Sequence, residues 1–222
     1  NVIDNDKIGD HTTLNLVTEL DSSSIDQPNN LWKDKLGHND FTLTGFTYDG
    51  VTDGVVNGGV KFTKGRMSKS VKNLELLNKS FTLECILEFN DVTKVKTQWV
   101  MSTNKTIGML VGINDQNGFS INSTVENYNS NIMPEIGKKY HICVTVQPNL
   151  VRFYIDGVLL YTSSKSNRAN NATPLFVGGI DTINQSLEGI MYKFRFYDRG
   201  LTPDEVVRNY IGVDSNVSVE TI

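Results

Sequence analysis

Cysteine is scarce: Cys85 and Cys143 are the only two in 222 residues. That excludes a scaffold built on disulfide staples. Long apolar runs are missing, and nothing approaches the roughly 20 residues a membrane-crossing helix needs. Basic charge is not in excess, since 21 Lys and Arg face 25 Asp and Glu for a net charge of −4. No basic stripe stands out either, which argues against nucleic acid and anionic membrane as partners. The three histidines, His11, His38 and His141, fall in no zinc-like spacing. A G-x-S-x-G elbow, a P-loop and a dinucleotide fingerprint are all absent. So are internal repeats, which excludes a propeller or solenoid.

What remains is one large domain by length, able to bury roughly 70% of its unfolded surface. The chain opens at Asn1 rather than Met, which reads as a fragment or a processed product. Residues 1–10 are polar and read as a linker or N-terminal arm. Residues 11–212 carry the domain, and 213–222 form a loose tail or a final edge strand. Between them lie a dozen or more short strands with turn chemistry between them. That pattern predicts two packed antiparallel sheets, an all-β sandwich with one short C-terminal helix. A first strand is expected within His11–Leu20. In Phe81–Phe89 the set Phe81, Leu83, Cys85, Leu87 and Phe89 shares one face, and Thr82, Glu84, Ile86 and Glu88 share the other. Leu175–Gly179 reads as a further strand, and Asp156-Gly157 reads as a hairpin pair.

The stretch Leu187–Tyr210 organises the rest. Ile190, Tyr192, Phe194 and Phe196 alternate with Met191, Lys193 and Arg195, the period of a strand with one face on a core. Thr202-Pro203-Asp204-Glu205 then predicts a capped helix, with proline at its first position and a glutamate placed to close a capping box.

This stretch resembles the closing segment of laminin G-like, concanavalin A-like jelly-roll domains, through Gly189, Tyr197, Leu201, Thr202, Glu205 and Val206. Three other segments resemble the family in the expected order. They are Phe81-Thr82-Leu83-Glu84, then Lys139–Val146 with Tyr140 in place of the usual Trp, then Phe153-Tyr154-Ile155-Asp156-Gly157. Upstream, Leu31–Asp40 resembles the opening of jelly-roll modules in phage and bacterial surface proteins, with Trp32 read as a buried anchor rather than a sugar platform. The resemblance implies a concanavalin A-like jelly roll and leaves the ligand open, because one fold hosts many functions.

Glucanases of this fold place carboxylates as E-x-D-x-E along one strand. Here Glu84 and Glu88 flank Ile86, about 13 Å apart by strand rise. That is too far for a retaining pair, and both read as solvated carboxylates, so the chain is expected not to be an enzyme. A His141–Cys143 dyad on one strand face is read as ordinary strand spacing. Cys85 and Cys143 read as two buried free thiols. The six N-x-S/T sequons, at Asn78, Asn104, Asn122, Asn171, Asn184 and Asn216, read as the product of an Asn-rich composition.

Glycan binding asks for aromatic faces beside amides or carboxylates. Tyr128 with Asn127, Asn129 and Asn131 is the first candidate, Asn114-Asp115-Asn117 the second and Trp99 the third. The resemblance raises Ca²⁺ as a possible cofactor, since it takes 6–8 oxygens; Asp115 with Asn114 and Asn117, and Asp181 with Asn184, are the candidate ligands. The expected function is a non-catalytic lectin-like module of a bacteriophage tail or other virion protein, binding a bacterial cell-surface polysaccharide and working as a homo-oligomer beside other tail proteins. Two alternatives are a carbohydrate-binding accessory domain of a secreted bacterial enzyme and a purely structural virion domain. The location follows: virion, extracellular or cell surface.

Overall fold

The computed structural model describes residues 11–93, 97–103, 109–114, 118–123, 127–165, 173–180 and 185–212. The expected arm at 1–10 and tail at 213–222 lie outside the described residues.

Alternation of apolar and polar residues sets the layers. In chain order the strands are β1 (Leu16–Asp21), β2 (Ile25–Asp26), β3 (Leu31–Trp32), β4 (Phe41–Thr44), β5 (Gly54–Val56), β6 (Gly59–Phe62), β7 (Met67–Ser70), β8 (Phe81–Phe89) and β9 (Thr97–Ser102). They continue as β10 (Leu110–Asn114), β11 (Gly118–Asn122), β12 (Asn127–Asn129), β13 (Lys139–Gln147), β14 (Leu150–Ile155), β15 (Val158–Ser163), β16 (Phe176–Val177) and β17 (Gly189–Tyr197), followed by the helix α1 (Pro203–Ile211). The first sheet runs β15-β14-β13-β8-β17-β6-β5, with β1 also paired to β17. The second runs β12-β11-β10-β9-β16-β7-β4-β3-β2.

The core lies between the two sheets. Phe81, Leu83, Cys85, Leu87 and Phe89 all enter it from β8, as their alternation predicts. Phe41 of the second sheet meets Phe194 of the first edge-on at 5.9 Å, and Phe119 meets Tyr140 at 5.1 Å. Each such fully buried side chain contributes roughly 1.5–3 kcal/mol. Trp32 is the buried anchor expected, with 0% exposure and its indole N–H donated to the Asp21 carbonyl at 2.7 Å.

The motifs shared with the jelly-roll family fall on neighbouring elements. β13, β8 and β17 lie side by side, and α1 follows β17. Thr202 caps α1, and Thr202 and Glu205 form the reciprocal capping box. Asp156 and Gly157 both take positive φ, 51° and 73°, the requirement of a type I′ hairpin turn.

Three expectations are corrected. The first strand is Leu16–Asp21 rather than His11–Leu20, and the strand expected at Leu175–Gly179 shortens to Phe176–Val177. In β17 the pairing with β8 shifts between Met191 and Lys193. That bulge gives Met191 the core position, while Phe194 and Phe196 hold it further along. Ile190 and Tyr192 therefore leave the face on which simple alternation puts them; an extra residue in one strand has this effect.

Cys85 and Cys143 are both free and buried. Their strands are neighbours, but Cys85 pairs with Ile142 and Cys143 with Glu84. A one-residue offset points the two thiols to opposite faces of the sheet, so geometry forbids a bridge.

Candidate functional site

A two-sheet sandwich has two outer faces, and here they differ in chemistry. The first sheet turns Glu84, His141, Cys143 and Arg195 outward. Glu84, expected to be solvated, is 1% exposed. α1 and the segment at Thr12 cover it. Its Oε1 accepts from Arg195 Nη1 at 2.6 Å, and its Oε2 accepts from Asn209 Nδ2 at 2.5 Å. His141 Nε2 stands 3.6 Å from Oε2, an ion-pair distance rather than a hydrogen bond. Asn209 Oδ1 in turn accepts from the Thr12 backbone N–H at 2.8 Å. Arg195 also reaches Glu19, donating from Nε at 3.1 Å.

Burial alone would raise the Glu84 carboxyl. The Arg195 charge, His141 and the Asn209 amide outweigh it and hold the group down at about 2. Glu19 is likewise below the ordinary carboxylate range, where His11, Arg195 and Lys193 outweigh its burial. Glu88 is half-buried and accepts from the Tyr192 hydroxyl at 2.8 Å. The network is therefore a structural clamp between sheet, helix and N-terminal segment. Cys143 packs with Tyr154, Tyr197, Leu201 and Val206, and burial followed by the Glu84 charge pushes its thiol up. Neither favours a thiolate nucleophile.

The second sheet turns a different set outward. In β11 Phe119 and Ile121 enter the core, so Ser120 and Asn122 face out. β12 pairs with β11 as Ser120 with Asn129, Ile121 with Tyr128 and Asn122 with Asn127. Asn127 and Asn129 thus join Ser120 and Asn122, and Ser120 Oγ lies 2.9 Å from Asn129 Oδ1. On the other flank Trp99 pairs with Gly112 and Thr97 with Asn114. Together with Gln185 these side chains line a shallow cleft of about 240 Å³. Trp99 forms its apolar end and is 5% exposed, packed with Phe176, Ile180 and Leu110.

The sequence-derived candidates separate accordingly. Trp99, Asn114, Asn127 and Asn129 come together in this cleft. Tyr128 does not. Its ring stacks on Tyr161 at 4.3 Å and 14°, meets Phe153 edge-on, and its hydroxyl donates to the Leu160 carbonyl at 3.2 Å. The stretch Ser123–Asn131 is polar with Tyr128 embedded; Asn127–Asn129 form a strand, and strand alternation sends the ring inward and its flanking amides outward. Asn131, in a left-handed turn with φ 58°, is not part of the cleft lining. Asp115, Asn117, Asp181 and Asn184 lie outside the described residues. No group of three or more His, Cys, Asp or Glu among the described residues could hold a metal ion. Ser120, Asn122 and Gln185 were not anticipated. The outward positions of Gly118–Asn122 were the available signal for the first two; Gln185 arrives from a loop that pattern cannot place.

A larger hollow of about 520 Å³ runs along Ser22–Pro28 beside Lys33 and Val55. It offers no aromatic side chain, and its Lys33 is already paired with Asp26 at 2.8 Å. The smaller cleft is chemically the better candidate.

The two packed antiparallel sheets define a jelly-roll β-sandwich. A model of the concanavalin A-like lectin/glucanases superfamily matches residues 57–207, and the chain belongs to that superfamily. No curated protein compared with it matches in sequence. Among solved structures it is similar to Trypanosoma rangeli sialidase, with TM-score 0.70 and 16% identity over 91% of this chain but 33% of that one. It is also similar to domain 4 of AbnA, a GH43 extracellular arabinanase from Geobacillus stearothermophilus in complex with arabinotriose, with TM-score 0.68 and 15% identity over 88% and 98% of the two chains. A third is the binding domain of Botulinum neurotoxin DC in complex with rat synaptotagmin II, with TM-score 0.63 and 13% identity over 88% and 51%. At such identities the likeness is one of fold. No helix among the described residues is long and apolar enough to cross a membrane.

Proposed function

We propose that this is a non-catalytic glycan-binding module whose ligand lies in the outer-face cleft of the second sheet. One observation carries the reading. The cleft gathers Asn114, Ser120, Asn122, Asn127 and Asn129 beside Trp99, while Glu84, a deeply buried carboxylate of the opposite sheet, is enclosed by its own partners. Amides and hydroxyls both donate and accept, matching sugar hydroxyls, and the Trp edge supplies apolar contact. The arabinanase domain similar in fold was seen with arabinotriose, which is compatible with glycan binding on this scaffold.

The setting we propose is a bacteriophage tail or another virion surface, where the module helps attach to a bacterial cell-surface polysaccharide. The Asn-rich composition and the resemblance of Leu31–Asp40 to the opening of phage and bacterial surface modules support it. Single-site affinity is expected in the micromolar to millimolar range, with several copies raising avidity by roughly 10² to 10⁴. An accessory domain of a secreted bacterial enzyme would use the same cleft, and a catalytic domain adjoining it in the full gene would identify that setting. Calcium remains a proposal tied to Asp115 and Asp181.

The test is binding of the labelled domain, displayed multivalently, to Gram-positive cells and their purified wall polysaccharides, with and without Ca²⁺. Saturable binding that free polysaccharide competes away is the expected result. No binding across the panel would point instead to a structural role and a protein partner.

A further inference from the structure

We infer that the cleft is a pit for one sugar ring, seated over Gly112, so that the module recognises a chain-terminal or side-branch unit of a glycan. This rests on the glycan-binding reading and specifies which part of the glycan enters. Gly112 of β10 pairs with Trp99 of β9 on one side and with Ser120 of β11 on the other. Ser120 pairs in turn with Asn129 of β12. These four positions form one row across the sheet, and outward it reads indole, bare backbone, hydroxyl, amide. Two strand spacings, about 9.5 Å, separate Trp99 from Ser120. Along β10 the next outward positions are Leu110 and Asn114, about 14 Å apart by strand rise. Asn114 lines the cleft, and Leu110 packs against the Trp99 cluster. Side chains therefore frame the bare position on four sides. The cleft volume of about 240 Å³ is below the roughly 300–1,000 Å³ of typical small-molecule pockets. A chain laid along β10 would meet Leu110 and Asn114 at the two ends, whereas one ring fits between them.

The frame is built in rather than incidental. Met101 pairs with Val111 and Trp99 with Gly112, so Val100 is an extra residue in β9, and Val100 and Met101 both enter the core. A bulge of this kind re-aims the side chain beside it, here turning Trp99 outward. It also brings β9 so close that a Cβ on residue 112 would collide with the Gln98 carbonyl. The bulge is pinned on its other side, where the Gly178 N–H donates to the Val100 carbonyl at 2.9 Å and the Trp99 N–H to the Gln185 carbonyl at 3.1 Å. Gly112 thus leaves the space and holds Trp99 at its wall. Trp99 supplies apolar contact to the C–H face of a ring. On the opposite wall the Ser120 hydroxyl, 2.8 Å from the Gly118 carbonyl, keeps lone pairs to accept from a sugar hydroxyl, and the Asn129 amide N–H can donate.

The experiment uses the full chain with isotope-labelled tryptophan, so that NMR reads the indole N–H signals of Trp32 and Trp99 separately. The probes are purified Gram-positive wall polysaccharides and the mono-, di- and trisaccharides of glucose, galactose, mannose, rhamnose, arabinose and N-acetylglucosamine. At least one monosaccharide should shift the Trp99 signal and leave that of Trp32, buried in the core, unmoved. From mono- to trisaccharide its affinity should rise less than about tenfold. Ser120→Phe fills the pit from its far wall and should abolish binding. Ser120→Ala keeps the space, loses one hydroxyl and should retain binding within about tenfold. Circular dichroism checks that both variants fold, and the length series with the Trp99 signal needs no variant. Binding of polysaccharide or trisaccharide with no response to any monosaccharide would overturn the single-ring pit and leave glycan binding in place. Binding that survives Ser120→Phe but is lost with Asn127→Ala and Asn129→Ala would overturn the pit and keep the cleft. Failure of every probe would overturn the inference together with the reading beneath it.

Discussion

The two outer faces of this sandwich put polar groups to opposite uses. On the first sheet, Glu84, Arg195, Glu19 and Asn209 satisfy one another under a helix. On the second, neutral amides at Asn127 and Asn129 stand exposed beside a partly open cleft. The buried ion pairs are closed off and the described amides are open. On the glycan-binding reading, a buried charge cluster is a poor guide to the site. A buried ion pair is costly to break and offers nothing to a ligand, whereas exposed amides cost little and can exchange water for sugar hydroxyls.

The sharpest way to break this contrast is Glu84→Ala. Removing one partner of a buried pair leaves an under-compensated guanidinium, and a loss of about 3–5 kcal/mol is expected. Urea denaturation measures it, and glycan binding by the remaining folded fraction should be unchanged. Acid probes the same clamp. The folded Glu84 carboxyl sits at about 2 against an ordinary 4.5. Its contribution is therefore complete above about pH 4.5 and lost as pH falls towards 2. Stability measured across that window should decline, and Glu84→Gln should flatten the decline.

The open face should respond in the opposite sense. Asn127→Ala with Asn129→Ala removes two hydrogen-bonding side chains, each worth about 0.5–1.5 kcal/mol to a bound ligand, so affinity should fall roughly 5- to 160-fold. Exposed positions of this kind shift stability by no more than about 0.5 kcal/mol each. The smallest effect is expected of Tyr128→Phe. It deletes the hydroxyl bond to Leu160, costs about 1 kcal/mol of stability and leaves glycan affinity unchanged. A large loss of affinity there would return the ring to the site.

Much of the frame was legible because it is local. The alternation of Phe81–Phe89, the Asp156-Gly157 turn and the Thr202–Glu205 capping box each lie within a few residues, and each holds in the structure. What escaped depends on partners distant in the chain. Glu84 is buried by Arg195 and Asn209, 111 and 125 residues away, so its strand alone reads as wet on that side. The bulge in β17 is a pairing irregularity against β8, and alternation within one strand carries no sign of it. The cleft was half visible. Asn114, Asn127, Asn129 and Trp99 stand out in the sequence, but their meeting depends on the order β12-β11-β10-β9. Tyr128 shows the opposite failure: its sidedness was encoded in the neighbouring amides, once those three residues are seen as a strand.

The most direct measurement is an amide NMR titration of the isotopically labelled domain with an oligosaccharide fragment of the wall polysaccharide that binds most tightly. Shift changes confined to Trp99, Asn114, Ser120, Asn122, Asn127 and Asn129, with the region around Glu84, His141 and Asn209 silent, are the predicted result. Changes centred on the helix-covered face, or none near the cleft under saturating ligand, would contradict it.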